Sequence, residues 1–142
     1  MEESTVFSDA LVNKEKAQIV NVNLKITLTD EDIDDIMSSA LEGGINYWCR
    51  KLELVGDQLG EFVNEQISHG GSINIYATED DNVYELTKEK FINGLKMYLE
   101  NHHFSSYENR GQGSIGLDVG MIDAIAADLI IQYALFADIV FG

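Results

Sequence analysis

SINIYATEDDNVYELTKEKF, residues 72–91, is the stretch that decides the fold class of this chain. Residues 72–77 and 82–86 alternate apolar and polar side chains, which is typical of strands with one buried face. The polar run 78–81 between them predicts a hairpin turn. Thr87 predicts a helix N-cap, because its hydroxyl can accept hydrogen bonds from first-turn amides. A hairpin followed at once by a helix indicates the α+β class.

Apolar periodicity predicts the elements on either side of this stretch. The clearest alternation in the chain predicts a strand over 18–28. Residues 43–56 are compatible with either helix or strand. Helical spacing and capping residues predict four helices, which cover about 30–42, 57–68, 88–102 and 119–137.

These elements predict one domain with a small, mostly antiparallel sheet packed against helices. The domain covers residues 18–142, and residues 1–17 are expected to form an N-terminal arm or a short helix. Gly43 and Gly44 predict a stop, a kink or a close helix contact. Residues 104–120 contain four glycines and are expected to form a long loop.

The composition is strongly acidic. The chain has 142 residues and a formal charge of −16, from 25 acidic and 9 basic side chains, and 45% of its residues are hydrophobic. The apolar content predicts a folded core, so the acids belong to the surface of a folded domain. Such a surface argues against direct binding to nucleic acid or to anionic membranes, both of which need clustered Lys and Arg. It favours encounter with a basic protein.

Three features bear on the compartment. Cys49 is the one cysteine, so no disulfide can form within the chain. The first ten residues lack the basic and apolar regions of a signal peptide. Three aspartates interrupt the apolar segment 121–141, which argues against a membrane span. The sequence predicts a cytoplasmic protein.

Two acidic clusters are the candidate partner-binding sites. One lies at the start of the first predicted helix, where carboxylates also have a structural role because they stabilise the positive helix end. The other lies at the predicted hairpin tip, a position often used for contact. The candidate residues are Asp30, Glu31, Asp32, Asp34, Asp35, Glu79, Asp80 and Asp81.

The sequence indicates no metal site and no cofactor. The first acidic cluster has the rhythm of a calcium loop, but Asp35 and Leu41 occupy positions where an EF-hand needs Gly and Glu. The glycines over 111–116 match a dinucleotide-binding spacing, yet no apolar strand precedes them. Asp123 and Asp128 are predicted to be separate polar positions rather than a carboxylate pair.

Two further hypotheses concern small molecules and catalysis. Trp48, Tyr107 and Arg110 are candidates for a ligand pocket near the 104–120 loop. Cys49 lies beside two cations that would favour a thiolate, and a cysteine-dependent enzyme would also need a histidine base nearby. A cysteine beside a tryptophan is also typical of a buried apolar position.

Three segments resemble a group of small uncharacterised acidic proteins of Gram-positive bacteria, their phages and mobile elements. They are LTDEDIDDIM (28–37), ALEGGINYWC (40–49) and QYALFADIVFG (132–142). The resemblance covers about residues 26–142 and carries no known activity and no site residues. It implies a bacterial host cytoplasm and a partner within the host machinery.

The resulting expectation is a non-enzymatic inhibitor, anti-defence or anti-CRISPR-like. It would block a basic nucleic-acid-binding surface of a host protein such as a nuclease, acting as a nucleic-acid mimic. The alternative is an oligomeric protein that binds or sequesters a small molecule. A homo-oligomer is compatible with both, and a cysteine-dependent enzyme ranks third.

Overall fold

Three helices and two antiparallel sheets make up residues 16–142, the part of the chain that the computed structural model describes. The α+β class is therefore confirmed, while the arm predicted over 1–17 lies almost entirely outside the described residues. In chain order the elements are α1 (Asp30–Ser39), β1 (Cys49–Val55), β2 (Ser72–Ala77), β3 (Val83–Leu86), α2 (Lys88–Asn101), β4 (Tyr107–Asn109), β5 (Ile115–Leu117) and α3 (Ala124–Phe136).

The larger sheet has the order β1-β2-β3 and is antiparallel throughout. The predicted hairpin over 72–86 is confirmed, with Ile75 paired to Tyr84. Ile73, Ile75 and Ala77 are buried, whereas the residues between them are half-buried. This alternation gives the sheet one face toward the core, as the period of two requires.

Helix α1 begins with the capping box that its sequence encodes. Thr29 accepts a hydrogen bond from the Asp32 amide at 3.1 Å, and the Asp32 carboxylate accepts one from the Thr29 amide at 3.0 Å. The helix widens into a π-helical turn over Ala40–Gly44. A Cβ atom on Gly44 would lie 2.7 Å from the Ala124 carbonyl, so the predicted close contact at the glycine pair is confirmed.

Helices α2 and α3 pack against each other at Gly94. A Cβ atom there would lie 2.6 Å from the backbone nitrogen of Ala134, so only glycine permits this approach. Helix α3 buries residues on several sides because α1, α2 and β3 all contact it. It is the central helix of the core.

The helix predicted over 57–68 is wrong. The segment contains only a 3₁₀ turn at Val63–Glu65 between bends and turns. Polar side chains take the place of helical hydrogen bonds: Glu65 accepts from the Glu61 amide at 2.7 Å, and Gln66 accepts from the Leu59 amide at 2.9 Å. Local bonds of this kind compete with helix formation.

The strand predicted over 18–28 is also wrong. The segment is extended, and Ile26 and Leu28 pack against the core, but the only backbone–backbone hydrogen bond it makes within residues 16–142 joins Thr27 N–H to Ile115 O at 2.8 Å. Alternation selects an extended backbone with one apolar face. It does not supply a neighbouring strand.

Two predictions differ from the structure, and the region that is compatible with helix or strand is assigned. Residues 104–120 form the β4–β5 hairpin rather than a long loop, because Gly111, Gln112 and Gly113 all adopt positive φ and turn the chain tightly. The region 43–56 becomes a strand from Cys49. Helix α3 begins at Ala124, after a 3₁₀ turn, because Asp123 accepts from the Ala126 amide at 2.8 Å.

Candidate binding surfaces

The structure divides the five candidate acids of α1 into two groups. Asp30 and Asp32 face other elements and are ion-paired: Lys88 Nζ lies 3.4 Å from the Asp30 carboxylate, and Arg110 pairs with Asp32. Glu31 and Asp35 are exposed, and Asp34 is half-buried. Glu31 and Asp35 are therefore open to a partner, whereas one carboxylate oxygen of Asp34 is buried.

Asp32 has a structural role rather than a binding role. Arg110 donates to both carboxylate oxygens, at 2.7 and 3.1 Å, and also to the Leu117 carbonyl at 2.7 Å. The guanidinium thereby joins the β4–β5 hairpin to the start of α1. Burial acts to raise the pKa of Asp32, but the hydrogen bonds from Arg110 and Thr29 outweigh it and hold that pKa below its usual value.

The outer side of α1 carries an acidic stripe, which we define as Glu31, Asp34, Asp35 and Glu42. These positions, together with Ser38, are spaced three or four residues apart, so they share one side of the helix and its π-helical extension. Ser38 donates to Glu42 at 2.5 Å. Glu42 was not among the residues predicted from the sequence. Its spacing of seven from Asp35 nevertheless places it on the same face of the helix.

Exposed apolar side chains lie beside the acidic stripe. Leu59, Phe62 and Val63 are 48%, 58% and 40% exposed. The 3₁₀ turn Val63–Glu65 packs on α1, and the Asn64 side chain donates to the Asp34 carbonyl at 3.2 Å. An exposed aromatic residue next to carboxylates is the composition of a protein-binding surface.

The hairpin tip lies far from the beginning of α1. The tip follows Ala77, which pairs with Cys49, whereas α1 begins beside Lys88 at the other end of the sheet. The six residues of β2 separate these ends by roughly 17 Å at about 3.3 Å per residue. Asp80 accepts from Tyr84 at 2.8 Å and from the Asn82 amide at 2.9 Å, so the tip is internally braced.

The three candidate pocket residues lie in different environments. Trp48 is buried, with 1% of its surface exposed, and Arg110 is bound to Asp32. Tyr107 lines two open grooves. One, of about 620 Å³, lies between the extended segment 17–29 and α2. The other, of about 430 Å³, borders the β4–β5 turn. Trp48 is not among the residues that line either groove.

A buried polar cluster surrounds Asp128, and it was not predicted from the sequence. Asp128, 5% exposed, accepts from Tyr47 at 2.6 Å, from the Trp48 indole at 2.7 Å and from Gln132 at 3.0 Å. Gln132 also accepts from the Phe141 amide at 2.7 Å, and the Phe141 ring stacks on Trp48 with centroids 4.8 Å apart. The cluster holds the segment after α3 against the core.

The signal for this cluster was present but indirect. Asp128 and Gln132 are four residues apart within an otherwise apolar helix, a spacing that places them on one face. Tyr47 and Trp48 lie 81 and 80 residues before Asp128 in the chain. Only the packing of the π-helical turn against α3 brings them together. Asp123 caps α3, so the two aspartates are indeed separate positions.

The Cys49 thiol and the rings of His69 and His102 contact other groups. The Cys49 thiol lies 3.4 Å from the Lys51 carbonyl, and burial raises its pKa, which opposes thiolate formation. The His69 ring bonds the Glu65 carbonyl, and His102 stacks on Tyr98. Among residues 16–142, no group of three His, Cys, Asp or Glu side chains could hold a metal ion.

Comparison of the chain with protein-family models, with curated proteins and with solved structures gives no match. The resemblance to small acidic proteins of mobile elements therefore stays a prediction. Within the described part of the chain, no helix has the length and apolar character needed to cross a membrane.

Proposed function

We propose that the protein is a non-enzymatic acidic inhibitor that covers a basic, nucleic-acid-binding surface of a host protein, as an anti-defence factor of a phage or mobile element would. The observation that carries this proposal is the acidic stripe on α1 beside the exposed Phe62. Carboxylates would pair with Lys and Arg that otherwise hold phosphates, and the phenyl ring would add apolar contact.

The pairing of the acids within the chain supports a smaller set of contact residues for the proposed inhibitor. Asp30 and Asp32 already have cationic partners within the chain, so we assign the contact to the exposed acids of the stripe, which are Glu31, Asp35 and Glu42. Glu79 and Asp81 at the hairpin tip are exposed and lie at the other end of the sheet. They would reach a second basic patch on a partner large enough to span both ends.

The test begins with capture of partners from a Gram-positive host lysate at low and high salt, with identification by mass spectrometry. A captured nucleic-acid-binding protein is then purified, and displacement of a labelled DNA duplex from it is titrated. The test variant is Glu31→Gln/Asp35→Asn/Glu42→Gln. At about 0.5 kcal/mol for each exposed ion pair, its affinity should fall roughly tenfold.

The matched control removes three acids elsewhere, as Glu89→Gln/Asp118→Asn/Asp138→Asn, so both variants carry the same net charge. All six acids are exposed. Equal displacement by the two variants would mean that total charge acts without a defined surface. Displacement that is unchanged in the stripe variant and insensitive to salt would contradict the proposal.

The 620 Å³ groove supports the second candidate, a small-molecule-binding protein. Apolar residues from segment 17–29 and α2 line it together with Tyr107, Lys96 and Glu100. A thermal shift produced by a small-molecule panel, and abolished by Leu95→Trp within the groove, would support this candidate over the inhibitor.

A further inference from the structure

Segment 17–29 is extended and pairs with no strand among residues 16–142. The groove beside α2 is lined by five of its residues, of which Ile26 and Leu28 also pack against the core: Val22, Asn23, Leu24, Ile26 and Leu28. Farther from the core, Val20 and Val22 are 78% and 80% exposed. Over 17–28, backbone pairing with the rest of residues 16–142 is limited to Thr27. An extended, apolar segment with free backbone groups is a template for pairing with another chain.

Charge limits which chain can pair there. The chain carries −16 overall, yet residues 16–29 contain Lys16 and Lys25 and no acid. Across the groove, residues 90–99 of α2 also contain no acid, and Glu100 is the one acidic residue that lines the groove. A second copy could therefore approach this face without bringing the acids of the two copies together. At the acidic stripe, by contrast, the acids of two copies would face each other.

The segment is also complementary to itself. In an antiparallel pair centred on Val22, Val20 faces Leu24 of the partner subunit and Asn21 faces Asn23 of the partner subunit. Lys25 then lies opposite an apolar Ile19, so no like charges face each other. A two-fold axis through Val22 repeats every one of these contacts.

We propose that two copies of the chain associate through antiparallel pairing of segment 17–29. The pair covers Val20, Val22 and Leu24 of both copies and places the second copy's apolar side chains over the open groove beside α2. Each segment then has a strand neighbour for the backbone groups that are free within the described chain. This association is independent of the acidic stripe.

The experiment is sedimentation velocity of the full chain over a range of concentrations and salt. We expect a monomer–dimer equilibrium that tightens with added salt, because salt screens the repulsion between two acidic copies. Binding of a basic partner would weaken with salt, so the two proposals respond in opposite directions. The test variant Val22→Lys should weaken dimerisation at least tenfold, and the control Ile125→Lys, at a residue 73% exposed on α3, should not.

A second measurement locates the interface. Val22→Cys in a Cys49→Ala background should form a disulfide-linked dimer on mild oxidation, since the two-fold axis brings both sulfurs together. Amide hydrogen exchange over 19–26 should slow as concentration rises. A chain that is monomeric at every concentration would overturn the proposal. So would protection of 19–26 that is independent of concentration, or a dimer that only Ile125→Lys weakens.

Discussion

Asp32 and Asp128 are equally buried, each 5% exposed, yet their carboxylates are neutralised in different ways. Asp32 lies at the first turn of α1 and binds the guanidinium of Arg110. Asp128 lies near the other end of that helix and its π-helical extension. It accepts only from neutral donors within the described chain, namely tyrosine, indole and amide groups.

The comparison shows two ways of keeping an acid inside an acidic protein. A cation and a helix N-terminus compensate the charge of Asp32 directly. The charge of Asp128 is instead stabilised by hydrogen bonds from several neutral donors, and the position of each donor depends on the others. Asp32 therefore fastens one hairpin to one helix, whereas Asp128 organises the π-helical turn, α3 and the segment that ends the chain.

The largest expected effect is at Asp128. Asp128→Ala leaves the buried Trp48 indole and the Gln132 amide without their acceptor, so the free energy of unfolding should fall by about 3 kcal/mol. Urea denaturation measures this loss. Trp48 is the single tryptophan, and its emission should shift to longer wavelength as Phe141 leaves its ring. Asp128→Asn, which keeps one acceptor oxygen, is the matched control and should lose less.

A smaller loss is expected at Asp32. Asp32→Ala removes the cap of α1 and the partner of Arg110, and the free energy of unfolding should fall by about 2 kcal/mol. In this variant Arg110 can turn toward solvent, which limits the fall in the free energy of unfolding. Trp48 emission should stay unchanged because the two regions lie at opposite ends of α1. A loss larger than that of Asp128→Ala would reverse the comparison.

The stabilising effects of the two regions should be lost at opposite ends of the pH range. The pKa of Asp32 is held below its usual 3.8, so its stabilising effect is complete above about pH 4 and is lost as pH falls through the lower folded value. Burial, and then the bond to Asp128, raises the pKa of Tyr47 from 10.0 to about 12. The stabilisation by Tyr47 is complete below pH 10 and is lost as pH rises toward 12.

Denaturation of the wild type and the Tyr47→Phe variant across this range measures the alkaline effect. The stability difference between the two proteins should shrink from pH 10 to pH 12, where tyrosinate would face the Asp128 carboxylate. The difference between wild type and Asp32→Asn should shrink only in acid. A stability difference for Tyr47→Phe that is constant up to pH 12 would show that the Tyr47–Asp128 bond is not formed.

Several parts of the molecule could be predicted because their signals are local. The N-cap of α2 at Thr87 and the hairpin over 72–86 depend on neighbouring residues and their spacing. The predictions failed where the local structure depends on side-chain bonds or on the presence of a neighbouring strand. Glu65 and Gln66 replaced a helix with side-chain bonds, and segment 18–28 lacks a strand beside it within the described chain. Sequence alone offers all five acids of 30–35 as candidates, and it cannot show that Lys88 pairs with Asp30 and Arg110 with Asp32.

The sequence by itself determined the class of fold, the net charge and the N-cap of α2 at Thr87, because each follows from residue type and short-range periodicity. Only the tertiary structure decided which acids face solvent and which are held inside. Those assignments depend on contacts between residues far apart in the chain, such as Arg110 with Asp32 and Trp48 with Asp128, which are 78 and 80 residues apart. Spacing along the chain carries no information about partners at such distances.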